Sequence, residues 1–171
     1  MRGLIIFVLM FGLGGALAAQ EVSAPDTSSF TTEVFGDWSV ICTTQTSGDR
    51  LCQLSQAVGV DGDEEQAFLL NISASEDGRK HFGVVTVPLG VYLAPGVELR
   101  VDARRPFRVL YEICDVQACY AGFEVSGQAL SAFRRGLDAR FRVWVGRDRA
   151  VEFPVSLRGF SAAWREYERQ Q

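Results

Sequence analysis

Histidine is almost missing from this chain of 171 residues: His81 is the only one. A site built on several histidines is therefore excluded, and four cysteines expected to be oxidised leave too few ligands for zinc. A Ser-His-Asp triad would have to run through His81, and no Gly-x-Ser-x-Gly elbow accompanies it. The expectation is a histidine on the solvent face of a strand. No apolar run is comfortably long enough to span a bilayer, since Leu4 to Leu13 is interrupted at Gly12 and followed by Gly14-Gly15. No cysteine lies near Ala16-Leu17-Ala18, so nothing marks a lipoprotein. No internal repeat or second hydrophobic cluster asks for a second domain.

What is present explains the compartment. Arg2, the short apolar run and the small residues Ala16 and Ala18 read as a cleaved secretory signal over residues 1–19, with no stable transmembrane anchor once it is removed. The full chain carries 17 basic and 21 acidic groups, and loss of Arg2 makes the balance more negative. Such a protein is not a nucleic-acid binder. Its charge is uneven, with 4 basic and 12 acidic groups from Gln20 to Arg100, and 12 basic and 9 acidic from Val101 to Gln171. A surface of two signs can steer partners.

Four cysteines behind a signal sequence imply a disulfide framework. Three connectivities are possible. From Arg108 to Val125 the chain reads as two strands meeting at a four-residue turn between Cys114 and Cys119, and Cys42 and Cys52 also flank a hairpin. The expected pairs are Cys42 with Cys52 and Cys114 with Cys119. Thioredoxin-like centres place two residues between their cysteines at a helix start, so a four-residue spacing between strands points to a structural bond.

Residues 20–36, rich in Ser, Thr and small side chains, read as a flexible lead-in to a single domain over residues 37–171. From Trp38 onward the period is two. Trp38, Val40 and Cys42 share a face, as do Phe68, Leu70 and Ile72, then Val97, Leu99 and Val101, then Ala139, Phe141, Val143 and Val145. Asp61 to Glu65 is expected to be a solvated acidic turn; its spacing is only faintly that of a calcium loop. Val87 to Gly96, with Pro88 and Pro95, is a segment that cannot be a central strand and is expected to cross an edge or end of the sheets. Ser126 to Gly136 reads as a short helix, and Phe160, Ala163, Trp164 and Tyr167 recur as on a small amphipathic helix against the sandwich edge. About nine strands with regularly spaced turns give an all-β, two-sheet antiparallel sandwich with one or two short helices.

The candidate interaction face is basic. Arg140 and Arg142 point the same way from one strand, Trp144 lies among them, and Arg147 and Arg149 begin the partner strand. Guanidinium groups on one face can grip phosphate or carboxylate bidentately, and tryptophan with arginine is a common interface anchor. Against this, Asp138, Asp148 and Glu152 offset the charge, and a charged outer face is ordinary for an antiparallel sheet.

Several segments together resemble one family. They are Trp38-Ser39-Val40-Ile41-Cys42 with Cys52-Gln53-Leu54; Val87-Pro88-Leu89-Gly90-Val91 with Gly96 and Asp102; Cys114 to Cys119 with Tyr120-Ala121; and Pro154 to Ala163. In this order and spacing they resemble the invasion associated locus B (IalB) proteins, from about Gly36 to Trp164. The resemblance implies an immunoglobulin-like β-sandwich exported to the bacterial periplasm or outer surface, with no known catalytic residue and no cofactor. It carries over no site beyond the two cysteine pairs. The expected function is therefore a non-enzymatic interaction protein whose partner is a protein or an anionic envelope component. The alternative is a small-ligand-binding module, or a cryptic enzyme, with a pocket near Pro88 to Gly96.

Overall fold

The computed structural model describes residues 29–60 and 63–171. Strands β1 (Ser29–Phe35), β2 (Trp38–Thr44), β3 (Arg50–Val60), β4 (Asp63–Ala74), β5 (His81–Pro88), β8 (Tyr111–Cys114) and β9 (Ala118–Glu124) form one sheet. Its order is β1-β2-β3-β4-β5-β9-β8, and every pairing is antiparallel. Strands β6 (Val97–Val101), β7 (Phe107–Val109), β10 (Asp138–Gly146) and β11 (Arg149–Ser156) form the second, in the order β11-β10-β6-β7. Helices α1 (Gly127–Arg135) and α2 (Phe160–Gln170) complete the sandwich.

Alternation in each strand decides which face meets the other sheet. Trp38, Val40 and Cys42 of β2, Val85 and Val87 of β5, and Ala139, Phe141 and Val143 of β10 are all buried, while their neighbours in sequence are less so. Each aliphatic or aromatic side chain so buried stabilises the fold by roughly 1.5–3 kcal/mol before ordering costs.

The sheets are unequal, seven strands facing four, so the smaller one cannot cover the larger. Helix α2 takes up the remainder. Phe160, Ala163, Trp164 and Tyr167 are almost wholly buried, and Phe160 meets Trp38 edge-on at 5.0 Å between ring centroids. The helix is thus part of the core layer and not an addition at the sandwich edge, because an apolar sheet face beyond the reach of four strands needs a cover of about a helix's width.

Three expectations change at the level of strands. Ser29 to Phe35, within the expected lead-in, pairs along its length with β2. As an edge strand it exposes both faces, with only Phe35 packed on the core, and so carries no apolar period to read. The chain also changes sheets in front of the stapled turn: β7 pairs with β6, β8 pairs with β9, and Leu110 lies between them. Ile113 is consequently exposed instead of continuing the inward face of Val109. The expected acidic turn narrows, since Asp63, Glu64 and Glu65 lie within β4, while Asp61 and Gly62 are outside the described residues. Residues 1–28, with the expected signal sequence, are also outside them.

The two ends of the domain are clasped together. Trp38 Nε1 and Gln56 Nε2 both donate to the Ser156 carbonyl, at 2.8 and 2.9 Å, and the Ser156 N–H donates back to Gln56 Oε1 at 2.9 Å. A side-chain amide here imitates one rung of a strand ladder, which is how a buried glutamine can be satisfied. Outside it, Arg158 donates to Asp37 through Nε at 3.0 Å and Nη2 at 2.5 Å, and the Asp37 N–H donates to the Arg158 carbonyl at 3.1 Å. The chains approach closely enough to require glycine. A Cβ on Gly159, whose φ is +89°, would stand 1.9 Å from the Phe35 oxygen.

The hydrogen bond from Arg158, then that from Ser156, holds the Asp37 carboxyl down to about 2 from an ordinary 3.8. A depressed carboxylate pKa contributes stability that is fully present above pH 3.8 and lost as pH falls through about 2. Melting temperature measured from pH 5 to pH 2 is expected to fall less steeply for Asp37→Asn than for the parent, though the variant starts lower. Gly159→Ala is expected to destabilise by more than about 1 kcal/mol, because it adds a clash to an unfavourable φ.

Candidate functional site

The outer face of the four-stranded sheet contains most of the candidate residues, and register decides what they do. Arg142 lies opposite Glu152 on β11 and opposite Glu98 on β6, and Glu98 lies opposite Arg108 on β7. A row of alternating sign therefore crosses all four strands. Arg142 donates to Glu152 Oε1 from Nε at 2.8 Å, and Arg108 comes within 3.6 Å of Glu98. Opposite charges directly across a sheet are the arrangement that stabilises it.

Arg140 is placed differently. Its direct neighbours are Pro154 and Arg100, and its carboxylate partners, Asp138 and Glu152, stand at 3.8 Å. Glu152 thus serves three arginines, because Arg100 reaches it at 3.5 Å as well. The hydrogen bond from Arg142, with the nearby charges of Arg142, Arg100 and Arg140, holds its carboxyl below the usual range.

Beyond this row the β10–β11 hairpin projects. Trp144 shares the parity of Arg140 and Arg142 and is half-buried, and its carbonyl accepts the Tyr92 N–H at 2.7 Å. Arg147 lies in the turn, and Arg149 opens β11. Arg149 alternates with Ala150 and so has the parity of the inward-facing Val151 and Phe153, not that of the outer face. The four candidate arginines therefore separate into two groups. Arg140 and Arg142 belong to an ion-paired sheet face, whereas Arg147 and Arg149 are exposed at the tip, with no carboxylate within 4 Å among the described residues. Glu98, Arg100 and Arg108 complete the paired face; their alternation was readable, but the register that joins them to Arg142 was not.

The crossing between the prolines lies at an end of the sandwich. Pro88, Leu89, Gly90 and Val91 line a cleft of about 470 Å³, facing Val143 and Phe153. The cleft is largely apolar, and its one carboxylate among the described residues, Glu152, is already engaged by arginines.

His81 is not on the solvent face. It has the parity of Gly83, Val85 and Val87, and its ring stands 4.9 Å from Trp164 and 5.5 Å from Tyr167. The seven-stranded sheet puts the start of β5 over α2, which periodicity within β5 alone does not show. Desolvation among these rings lowers the imidazole pKa, opposed by Glu168. No nucleophile within hydrogen-bonding distance accompanies it among the described residues, so it is a packing residue at the helix–sheet contact.

Cys42 is bonded to Cys52 and Cys114 to Cys119, each pair directly opposite in its hairpin. The second turn is held further by Asp115, whose Oδ1 accepts the N–H groups of Gln117 and Ala118 at 2.7 and 2.9 Å. Tyr120 Oη donates to the other oxygen at 3.0 Å.

This architecture has counterparts. A family model for the Invasion associated locus B (IalB) protein matches residues 38–168. The chain belongs to the IalB family. An Invasion protein B homolog of Brucella abortus is 27% identical over 149 residues, covering 86% of this chain and 85% of the relative. Invasion protein B of Bartonella bacilliformis is 28% identical over 154 residues, covering 86% and 80%. The crystal structure of invasion associated protein B from Bartonella henselae superposes with a TM-score of 0.69 at 23% identity, over 81% of this chain and 95% of that one. That likeness establishes the shared fold. The IalB match begins at Trp38 and so leaves out β1, while it includes both disulfides and most of α2.

Because both disulfides of this IalB domain close short loops, their loss is expected to cost moderate amounts. Chain-entropy reasoning gives about 2 kcal/mol for Cys114→Ser with Cys119→Ser, and about 3 kcal/mol for Cys42→Ser with Cys52→Ser. Urea titration of the two double variants beside the parent checks both values and their order.

Proposed function

We propose that this chain is an exported, non-catalytic binding protein of the bacterial cell envelope that meets an acidic partner through the tip of its β10–β11 hairpin. The observation that carries the reading is the division among the arginines: those on the sheet face have carboxylate partners, and Arg147 and Arg149 have none within 4 Å among the described residues. A guanidinium already engaged by protein carboxylates has less to offer an incoming anion, whereas an exposed one retains its full donor set. Trp144, on the outer face of β10 just before the tip, adds the kind of half-buried aromatic anchor that interfaces favour. Two disulfides support export to an oxidising compartment. The relatives are named as invasion proteins. An acidic protein or an anionic envelope component, met in the periplasm or at a cell surface, is the partner class that suits the charge of the tip.

A second reading, a small-ligand module, draws on the apolar cleft at Pro88 to Val91. An apolar compound seated there would raise the melting temperature by mass action.

The deciding experiment is in-cell cross-linking, followed by mass spectrometry, of three forms of the protein: the parent, Arg147→Glu with Arg149→Glu, and Arg140→Glu with Arg142→Glu. A specific partner retained by the sheet-face variant and lost by the tip variant is the expected result. A partner lost only from the sheet-face variant would move the site to that face. Equal capture by all three would remove the basic surface from the reading.

A further inference from the structure

A second cationic feature lies on an apolar groove, away from the hairpin tip. Between the β6–β7 connection, the end of β9 and the first turns of α1 is an open groove of about 810 Å³. Its apolar wall includes Phe107, Phe123, Ala129 and Ala132, and Phe107 meets Phe123 edge-on at 5.7 Å. Phe123 lies flat along the inner face because β5 has Gly83 beneath it; a Cβ there would stand 2.5 Å from the ring. The groove is therefore formed by the fold itself.

Its rim is positive. Arg104 and Arg105 are both exposed, and neither has a carboxylate within 4 Å among the described residues. Among the described residues the one acidic member of the lining, Glu124, is paired with Lys80 at 3.1 Å. Asp102 holds the connection that bears the two arginines. Its Oδ1 accepts the N–H groups of Leu137 and Asp138, each at 3.0 Å, and its own N–H donates to the Asp138 carbonyl at 2.8 Å. Asp102 adopts a φ of +52°, which asparagine and aspartate tolerate better than most residues. The cationic rim is thereby fixed against the segment that follows α1.

We propose that this groove binds an anionic amphiphile, specifically a free alkyl carboxylate, with its head between Arg104 and Arg105 and its chain along Phe107, Phe123 and α1. Charge complementarity selects the head group: Asp102 lies near enough for Arg104 to act on its charge but directs Oδ1 to the Leu137 and Asp138 N–H groups, so two exposed guanidiniums can take a carboxylate bidentately, which a neutral head cannot use. Ring faces and alanine methyls offer the chain an apolar wall, with Ser126 and Gln128 the uncharged polar side chains among the described lining residues. The tip of the β10–β11 hairpin has no part in this site, so the two readings stand or fall separately.

The test is isothermal titration of the mature chain with sodium decanoate and with decanol, both below their micelle and solubility limits. Decanoate is expected to bind one to one and at least tenfold more tightly than decanol. Arg104→Glu with Arg105→Glu is expected to weaken decanoate at least tenfold and to leave decanol unchanged. Arg147→Glu with Arg149→Glu, an equal change of charge elsewhere, is expected to leave both unchanged. Ala129→Trp fills the groove and should abolish both; if its melting curve shows a lost fold, Phe107→Ala takes its place, with weaker binding of both ligands expected. Absence of saturable decanoate binding would overturn the proposal. So would equal weakening by the two charge reversals, since that would report general electrostatics. Binding to anionic vesicles without binding to free decanoate would overturn it in favour of a membrane surface.

Discussion

One backbone carbonyl holds the two ends of this domain together. The oxygen of Ser156 accepts from Trp38 and from Gln56, and around it Asp37 and Arg158 close an outer ring. The seven-stranded sheet and the junction of β11 with α2 are fixed to each other there. Displacing either would leave a buried glutamine amide and an indole N–H without partners, a cost of roughly 1–3 kcal/mol for each group. The position of α2 follows from it. With Gly159 pressed on Phe35, the helix starts beneath Trp38 and runs along the part of the large sheet that the small one does not reach. His81 acquires its aromatic surroundings for the same reason.

Much of this could be read in the sequence wherever a strand had one wet and one dry face. Val97, Leu99 and Val101, or Ala139, Phe141 and Val143, announce themselves by alternation, and the two cysteine pairs by their positions flanking turns. Reading failed where the physical cause was not local. Strand β1 exposes both faces, so composition presented it as a linker. The change of sheet at Leu110 leaves the local alternation of Val109 and Tyr111 intact, because each still faces a core, though from opposite layers. The placing of α2 in the core depends on the difference in sheet width, a property of the assembled topology. The basic face was legible as a set of residues and not as an arrangement. Cross-strand register pairs Arg142 with two glutamates, and the bulge near Gly146 comes before Arg149 takes the opposite parity.

The charge of the C-terminal half thus has several destinations. Some arginines lace the outer face of the small sheet, where exposed pairs contribute little each but fix the sign pattern across four strands. Arg158 closes the clasp. A remainder, at the hairpin tip and at the groove beside α1, is left facing solvent. Counting basic residues along the chain merges these roles, and only the strand order separates them.

The clasp joins residues separated by about 120 positions, whereas the two disulfides join residues 10 and 5 apart. Synthesis therefore imposes an order of assembly. Each hairpin can close and oxidise as soon as it emerges, but Asp37 and Trp38 must wait for Ser156 and Arg158, near the end of the chain. Until then the inner face of the large sheet lacks its helix cover, and Trp38, Val40 and Cys42 are open to other apolar surfaces. The interval between the first hairpin and the last twenty residues is where a nascent chain of this design is most exposed to holdase chaperones or to aggregation.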